Sequence, residues 1–413
     1  MNALLLLLTL TATGPTFIED DYAKALSTAK AQKKLLLVDA TAPWCHSCIF
    51  MKEHVFTRPQ FKAFEDRVVF ASVDTEKNSS VAFLEKFAVN VWPTLFFIDP
   101  EKESVVIKWI GSADETQMQA LLESADPKGP LAKADAQMAS GKTDVAAKTY
   151  LAVKEPTARA TLSTLAALSL AGQHEACAKT ALERLPSLSA PADQAAALTW
   201  GLGCALEMKA GKNRTELLTK LTPLAHALTS NAAVLADDAS GLFEQLVDEA
   251  TGRKDSKQAN ALALEWLAFL EGAAKRATTP AARAVFDPHR VNAAIAAGQP
   301  DRAVEALKQS ATEFPSDYNP PARLALLYRE LKNFEEALKA ANSALQLCKE
   351  GPRKVRLYEN KASIQVLTGD KAGAKATLTE ALAWAKSLPT AQLPKKKIDA
   401  LVAQLKALKG DQR

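Results

Sequence analysis

The strongest constraint on this chain is a pair of cysteines that follows a short apolar run. Residues 34–42 are Lys-Leu-Leu-Leu-Val-Asp-Ala-Thr-Ala, and Pro43 and Trp44 lead directly into Cys45-His-Ser-Cys48. Apolar residues continue beyond the pair, which predicts a buried strand, a short loop and a helix that begins at the cysteines. A thiol at a helix start lies where backbone N–H groups and the helix dipole favour its anion. The pair is therefore predicted to be a dithiol–disulfide exchange site.

The segments around the cysteine pair alternate between helix and strand patterns. Helices are predicted over 18–32, 45–64 with a break near Pro59, 80–89 and 115–125, and strands over 35–40, 68–74, 91–99 and 104–110. Two strands joined through a helix, followed by a hairpin and a closing helix, make a small α/β domain. This domain is predicted to span residues 15–126.

A short breaker-rich segment follows the α/β domain. Residues 127–130 are Pro-Lys-Gly-Pro, a composition typical of a linker. Beyond it alanine and leucine dominate and strand patterns disappear, so residues 131–413 are predicted to be α-helical. Because the linker separates the two regions, each is expected to have a core of its own.

An internal repeat lies near the C-terminal end. Small residues recur at Ala303, Ala337 and Ala374, which are 34 and 37 residues apart, and Tyr328 and Phe334 flank the central copy. Small residues let two helices pack closely, while the aromatic residues fill gaps between helix layers. The pattern resembles the tetratricopeptide repeat, most clearly over 288–388. Such arrays form solenoids, and this one is expected to bind a peptide or helix.

Three further features accompany the cysteine pair. Trp44 directly precedes Cys45, Asp39 is a lone carboxylate on an apolar strand, and Trp92-Pro93-Thr94 begins a later strand. A buried lone carboxylate is costly and needs a reason. With the cysteines, these residues resemble the thioredoxin fold, and residues 51–60 are similar to the periplasmic thioredoxin-like domain of bacterial transmembrane disulfide reductases. The expected architecture is an α/β thioredoxin fold followed by an all-α tetratricopeptide-like solenoid.

The thioredoxin resemblance implies catalytic roles. Cys45, exposed at the helix start, would attack a substrate disulfide, and Cys48, more buried, would resolve the mixed disulfide. Asp39 would carry the proton of Cys48, with a cap or ion pair at the strand end as the alternative. Pro93 is expected to be cis and to bring Trp92 beside the sulfurs, with a trans edge-strand proline as the alternative.

Substrate contacts and redox tuning are implied in the same way. Substrate binding is expected at Trp44, Trp92 and Thr94, although a purely structural role for Trp44 is equally open. His46 and Ser47 lie between the cysteines, where the dipeptide of this family tunes the redox potential. Oxidase-type relatives place a histidine just before the second cysteine, so the direction of electron transfer stays open.

The remaining cysteines and histidines receive simpler interpretations. Cys177, Cys204 and Cys348 lie in alanine-rich helical segments and are predicted to be buried free thiols, with a Cys177–Cys204 disulfide as the alternative. No four-ligand set accompanies the cysteine pair, so no metal site is predicted. No cofactor is expected beyond a redox-active Cys45–Cys48 disulfide. The other isolated histidines are expected to be surface or core residues: His174, His226 and His289.

The first residues resemble a secretory signal. Residues 3–10 are almost all apolar and small residues follow at 12–14, so residues 1–14 are predicted to be a signal peptide. No lysine or arginine precedes the apolar run, and a misplaced start or an N-terminal helix are the alternatives. A signal would place the protein in the periplasm or otherwise outside the cytoplasm; a cytoplasmic location is the alternative.

The overall charge helps to narrow the function. With 51 basic and 47 acidic residues the net charge is +4, which gives no basis for nucleic-acid binding. The expected function is a thiol–disulfide oxidoreductase that exchanges disulfides with protein substrates and an upstream redox partner, while the repeats dock partners. The alternative is a protein-interaction scaffold in which the thioredoxin-like domain is a redox sensor or a structural module.

Overall fold

A computed structural model describes residues 14–126, 128–154 and 156–410. The predicted signal peptide over 1–14 thus lies, apart from Gly14, outside the described residues. Among the helices of the described ranges, none combines the length and the apolar character needed to cross a membrane.

One mixed sheet organises the N-terminal part. The described strands are β1 (Phe17–Glu19), β2 (Leu35–Thr41), β3 (Val68–Asp74), β4 (Thr94–Asp99) and β5 (Ser104–Ile110). Their order in the sheet is β1-β3-β2-β4-β5, with β1, β2 and β3 parallel and β4 antiparallel to both β2 and β5. Both faces of β2 are covered, since Leu36 and Val38 join one apolar cluster and Leu37 joins another. The predicted thioredoxin fold is confirmed.

The helices of this part depart from the prediction in their bounds, most clearly at α1 and α2. They are α1 (Tyr22–Gln32), α2 (His46–Phe50), α3 (Val81–Lys86) and α4 (Glu115–Ser124). α2 continues as a π-helical turn over Met51–Val55, and a 3-10 helix begins at Pro59, which accounts for the predicted break. α1 begins later than predicted because the Asp21 side chain caps it by accepting a hydrogen bond from the Lys24 N–H. The residues before it pair with β3 instead.

The rest of the described chain is helical. Its α-helices are α5 (Ala132–Ala139), α6 (Thr143–Leu151), α7 (Ala158–Leu170), α8 (His174–Arg184), α9 (Pro191–Glu207), α10 (Lys212–Thr229), α11 (Ala236–Gly252), α12 (Ser256–Arg276), α13 (Pro280–Ala284), α14 (Asp287–Ala296), α15 (Val304–Glu313), α16 (Asn319–Glu330), α17 (Phe334–Leu347), α18 (Arg353–Leu367), α19 (Lys371–Ser387) and α20 (Lys395–Gly410). Left-handed turn residues recur at Gly298, Lys332 and Gly369, each between the two helices of a hairpin. This recurrence confirms the predicted repeat.

The two parts of the chain share one core, contrary to the expectation of separate cores. A single cluster of buried side chains runs from Leu37 and Phe50 on the sheet side to Tyr150, Trp266 and Leu327 in the helical array. Helix α5 packs directly on β5. The proline-rich segment around residue 128 therefore joins two bodies that are already in contact. Burial of apolar area at such a junction stabilises both parts, at about 25 cal/mol per Å².

The prediction of free thiols is wrong for two of the three outlying cysteines. Cys177 of α8 and Cys204 of α9 form a disulfide, with Cα atoms 6.1 Å apart. The two helices pack against each other, which brings residues 27 apart in sequence within bonding distance. Cys348 is free and buried, as predicted.

Candidate active site

The cysteine pair lies where β2 ends and α2 begins. Cys45 is the N-cap residue of α2, and its Sγ accepts a hydrogen bond of 3.1 Å from the Cys48 N–H. The two sulfurs form a disulfide with an S–S distance of 2.06 Å. Cys45 is only 4% exposed and Cys48 2%. The prediction that Cys45 is exposed is therefore wrong in this arrangement.

The loop before β4 meets the cysteine pair from the other side. The Trp92–Pro93 peptide bond is cis, as predicted. The Trp92 and Trp44 rings contact edge to face with centroids 5.0 Å apart, and both rings pack on the two cysteines. The Trp92 Nε1–H donates to Thr75 Oγ1 at 2.8 Å, which fixes that ring.

Thr94 has a different position from the one expected of a substrate contact. Its side chain is 1% exposed, and its hydroxyl donates to the Val91 carbonyl at 2.7 Å. The hydroxyl therefore closes the loop around the cis bond and has no free donor to offer a substrate. The structure brings Trp44 and Trp92 to the cysteine pair, but not the Thr94 hydroxyl.

Asp39 is buried behind the cysteine pair. It is 4% exposed, and its Oδ1 has no hydrogen-bond partner among the described residues. Burial, with a smaller contribution from the charge of Glu19 and against the opposing charge of Lys52, raises the pKa of Asp39 to about 7. A cavity of about 530 Å³ is lined by both Asp39 and Cys48. An acid with this pKa is suited to exchanging a proton near neutral pH.

The dipeptide between the cysteines contacts the helical array. His46 Nδ1 lies 2.7 Å from Asp237 Oδ1, and the Ser47 hydroxyl donates to Asp237 Oδ2 at 2.6 Å. Burial opposes protonation of His46, but the charge and hydrogen bond of Asp237 outweigh it and raise the pKa of His46. Burial likewise opposes ionisation of Asp237, yet His46 and His289 hold the pKa of Asp237 well below its usual range. The dipeptide is thus paired with a buried charge.

His289 belongs to the same group and is not isolated, contrary to the prediction. Its ring is 1% exposed and its centroid lies 4.0 Å from that of His46. Sequence reasoning missed both Asp237 and His289 as site residues. An acid in the first turn of a helix is ordinary, and 191 residues separate His46 from Asp237, so no local signal links them.

Further along the array, the first turns of two more helices cover the tryptophan side of the site. Asn319 of α16 donates to the Pro43 carbonyl at 3.0 Å. The Arg353 N–H of α18 donates to Glu76 Oε2 at 2.7 Å, and the Arg353 guanidinium lies 5.1 Å from the Trp44 ring centroid. The other oxygen of Glu76 accepts from the Trp44 Nε1–H at 2.7 Å. These contacts hold the array against the Trp44 ring, which itself packs on Cys45.

A cavity remains between the two parts. It has a volume of about 470 Å³ and is lined by His46, Trp92, Trp200, Cys204 and Glu244, among other residues. It therefore joins the dipeptide and the cis-proline loop to the inner side of the helical array.

Comparison with known proteins agrees with this geometry. Residues 17–100 match the family model described as thioredoxin-like. Thioredoxin H3 of Arabidopsis thaliana is 34% identical over 104 residues, which cover 25% of this chain and 81% of that protein. The chain belongs to the thioredoxin-like family. Residues 294–347 and 355–387 match tetratricopeptide repeat models.

Two other relatives differ in coverage. The thiol:disulfide interchange protein DsbD of Pseudoalteromonas atlantica is 30% identical over 88 residues, which cover 21% of this chain and only 15% of that protein. A tetratricopeptide repeat protein from Parabacteroides merdae is 12% identical, with a TM-score of 0.41, over 67% of this chain and 96% of that one. The thioredoxin-family relatives support a disulfide oxidoreductase activity in general, and the repeats support protein–protein interaction in general.

Proposed function

We propose that the protein is a thiol–disulfide oxidoreductase that exchanges disulfides with protein substrates. The observation that carries this proposal is the Cys45 sulfur at the start of α2, bonded to Cys48 and accepting its N–H. When the pair is reduced, that N–H and the helix dipole favour the thiolate of Cys45 over the thiol. The cis-proline loop beside the sulfurs offers backbone to an extended substrate segment.

The proposed exchange proceeds in two steps. The Cys45 thiolate attacks one substrate sulfur, a Cys45–substrate bond forms, and the second substrate sulfur leaves as a thiolate. The Cys48 thiolate then attacks Cys45 Sγ, so that the Cys45–Cys48 bond forms and the first substrate sulfur leaves. Two electrons pass from the protein to the substrate, and Asp39 accepts the proton that Cys48 gives up. An upstream dithiol partner then reduces the Cys45–Cys48 disulfide and becomes a disulfide itself.

We propose that the pair acts in the reducing direction. A protonated histidine stabilises a neighbouring thiolate and makes the disulfide more oxidising. Here Asp237 offsets the charge of His46, so the net stabilisation of the Cys45 thiolate is small. Titration against glutathione should give a potential nearer to about −270 mV than to about −120 mV. A potential at the oxidising end would reverse the proposed direction.

We also place the working compartment outside the cytoplasm. The Cys177–Cys204 disulfide supports this proposal, because such bonds persist in oxidising compartments.

The alternative function has one observation in its favour. Cys45 is almost fully buried under Trp44 and Trp92, and the helical array packs on Trp44, as expected of a redox sensor or structural module inside a scaffold. In the oxidoreductase proposal the array docks the partner and moves to admit it. The oxidoreductase proposal requires catalytic turnover of disulfide substrates, whereas the sensor or structural module does not.

Insulin reduction by the full chain separates the two functions. With dithiothreitol present to re-reduce the Cys45–Cys48 pair, the wild type should reduce insulin disulfides catalytically. Cys45→Ser should lose at least 100-fold in rate, and Cys348→Ser should keep the wild-type rate because that thiol is buried outside the cysteine pair. A folded wild type that shows no turnover above Cys45→Ser would favour the sensor or structural function.

A further inference from the structure

A group of metal-ligating side chains bridges the two parts of the chain. His46, Asp237 and His289 each offer one ligand atom, and these atoms all lie within 4.8 Å of one another. Asp237 Oδ1 lies 2.7 Å from His46 Nδ1 and 3.5 Å from His289 Nε2. Two atoms bound to one tetrahedral ion at about 2.0–2.1 Å lie roughly 3.3 Å apart. Small side-chain shifts are therefore enough to bring all three atoms around one ion.

His289 points to a ligand independently of that spacing. Its side chain is almost fully buried, and neither ring nitrogen has a hydrogen-bond partner among the described residues. Its Nε2 faces Asp237 without reaching hydrogen-bond geometry, and its ring packs against Trp266 with centroids 5.6 Å apart. An unpaired buried polar group costs about 1–3 kcal/mol. Coordination through Nε2 would satisfy one of these nitrogens.

We propose that His46, Asp237 and His289 bind one divalent transition-metal ion, with Zn²⁺ as the best match. Two imidazole nitrogens and one carboxylate oxygen are a typical zinc donor set, whereas Mg²⁺ and Ca²⁺ prefer oxygen ligands throughout. All three residues line the 470 Å³ cavity, which gives room for water at the fourth position. The proposal goes beyond the exchange activity and does not depend on it.

The origin of the ligands gives the ion a structural consequence. His46 comes from the dipeptide between the cysteines, while Asp237 and His289 lie in the first turns of α11 and α14 of the helical array. A bound ion would link the array to the residue next to Cys45. Metal binding is thus expected to hold the array over the cysteine pair.

Zinc titration of the full chain tests the site. The protein is first stripped with a chelator while both disulfides stay oxidised, so that the paired cysteines offer no thiolate. Competition with a chromophoric chelator should show one Zn²⁺ per wild-type chain. His289→Gln, Asp237→Asn and His46→Asn should each weaken binding by about 100-fold or more. The control is His226→Ala, which removes an exposed histidine that also lies beside a carboxylate, at 3.1 Å from Glu265, and should bind as the wild type does.

Two outcomes would overturn the metal site. The first is equal Zn²⁺ affinity in the wild type and the three ligand variants. The second is a loss of Zn²⁺ affinity in His226→Ala as large as the loss in the ligand variants. Zinc-edge X-ray absorption of the wild type needs no variant and should show two imidazoles and no sulfur; any other first shell contradicts the assignment. These experiments measure zinc binding and not disulfide exchange. A negative result would therefore reject the metal site without bearing on the proposed exchange activity.

Discussion

At the residue scale, the site combines groups that have partners with groups that have none. The Cys45 sulfur has a backbone donor, and Trp44 and Trp92 each donate to a fixed acceptor. Asp39 Oδ1 and both nitrogens of His289 have no hydrogen-bond partner among the residues that the structure describes. Buried groups without partners are where chemistry or a ligand is expected, because their desolvation is otherwise uncompensated.

The first prediction concerns the two cysteines separately. In Cys48→Ser the Cys45 thiol can still attack a substrate, but nothing resolves the product, so mixed disulfides with protein substrates should accumulate. The Cys45→Ser variant should accumulate at least tenfold less of these mixed disulfides than Cys48→Ser does. Non-reducing electrophoresis after incubation with a disulfide-containing protein measures both, and equal trapping by the two variants would remove Cys45 from the role of nucleophile.

The second prediction concerns Asp39 and pH. The carboxyl keeps its proton to about pH 7 in the folded protein but ionises near pH 4 in the unfolded chain. The folded state therefore loses stability as the pH rises from about 4 to about 7. Asp39→Asn should remove this loss and be more stable than the wild type at pH 8 by on the order of 3 kcal/mol, with little difference at pH 4.

Urea unfolding at pH 4 and pH 8 measures this effect. Asp66→Asn, at an exposed position of the same domain, is the matched control. Its free energy of unfolding should differ from that of the wild type by the same amount at pH 4 and at pH 8. A difference between Asp39→Asn and wild type that does not change with pH would contradict the raised pKa of Asp39.

Local motifs made part of the site predictable. The resemblance to the thioredoxin fold implied the cis bond at Pro93, and the apolar strand around Asp39 indicated the burial of that residue; both are confirmed. The pairing of His46 with Asp237 was not predictable. It depends on how a helix far along the chain packs on the dipeptide, and no spacing in the sequence encodes that contact.

At the element scale, α8 and α9 are joined covalently as well as by packing. The Cys177–Cys204 disulfide closes a loop with a sequence separation of 27, and Cys204 also lines the cavity beside the dipeptide. Sequence reasoning favoured free thiols because alanine-rich helices often bury single cysteines. Only the packing of the two helices distinguishes a bonded pair from two free thiols.

The third prediction follows from that bond. Replacing Cys177 and Cys204 together by alanine should lower the free energy of unfolding by about 3 kcal/mol, chiefly because the unfolded chain regains the freedom of the open loop. Cys348→Ala is the control and should cost about 1 kcal/mol, since it removes only a small buried group. Urea denaturation of the oxidised proteins gives both values; equal losses would mean that the disulfide contributes nothing beyond its packing.

The N-terminal strand shows a limit of pattern reasoning. Residues 18–32 have helical spacing, yet Phe17–Glu19 pair with β3 and Asp21 starts the helix. A three-residue strand is too short to show an alternation, so tertiary pairing decides its conformation.

At the scale of the whole molecule, the helical array covers the face on which the thioredoxin-like part would meet its substrate. The first turns of α11, α14, α16 and α18 all contact this face. The Gln392 side-chain amide also donates hydrogen bonds to the Thr75 and Lys77 carbonyls, at 3.2 and 2.9 Å. The sequence predicted both folds but separate cores, because a proline-rich segment marks a change of composition without showing whether the parts dock. The exchange proposal therefore requires the array to move.

The alkylation rate of Cys45 in the reduced full chain tests this account most directly. Gly351 lies in the loop before α18 at φ +89°, and a Cβ there would lie 2.6 Å from the Glu76 carbonyl oxygen, so Gly351→Ala should push the array off the site. Gly369→Ala is the matched control, with φ +80° and no atom within 4 Å of the added Cβ. We predict slow alkylation in the wild type and Gly369→Ala and at least tenfold faster alkylation in Gly351→Ala, followed by mass spectrometry. Equal rates in all three proteins would contradict the claim that the array covers and controls the exchange site.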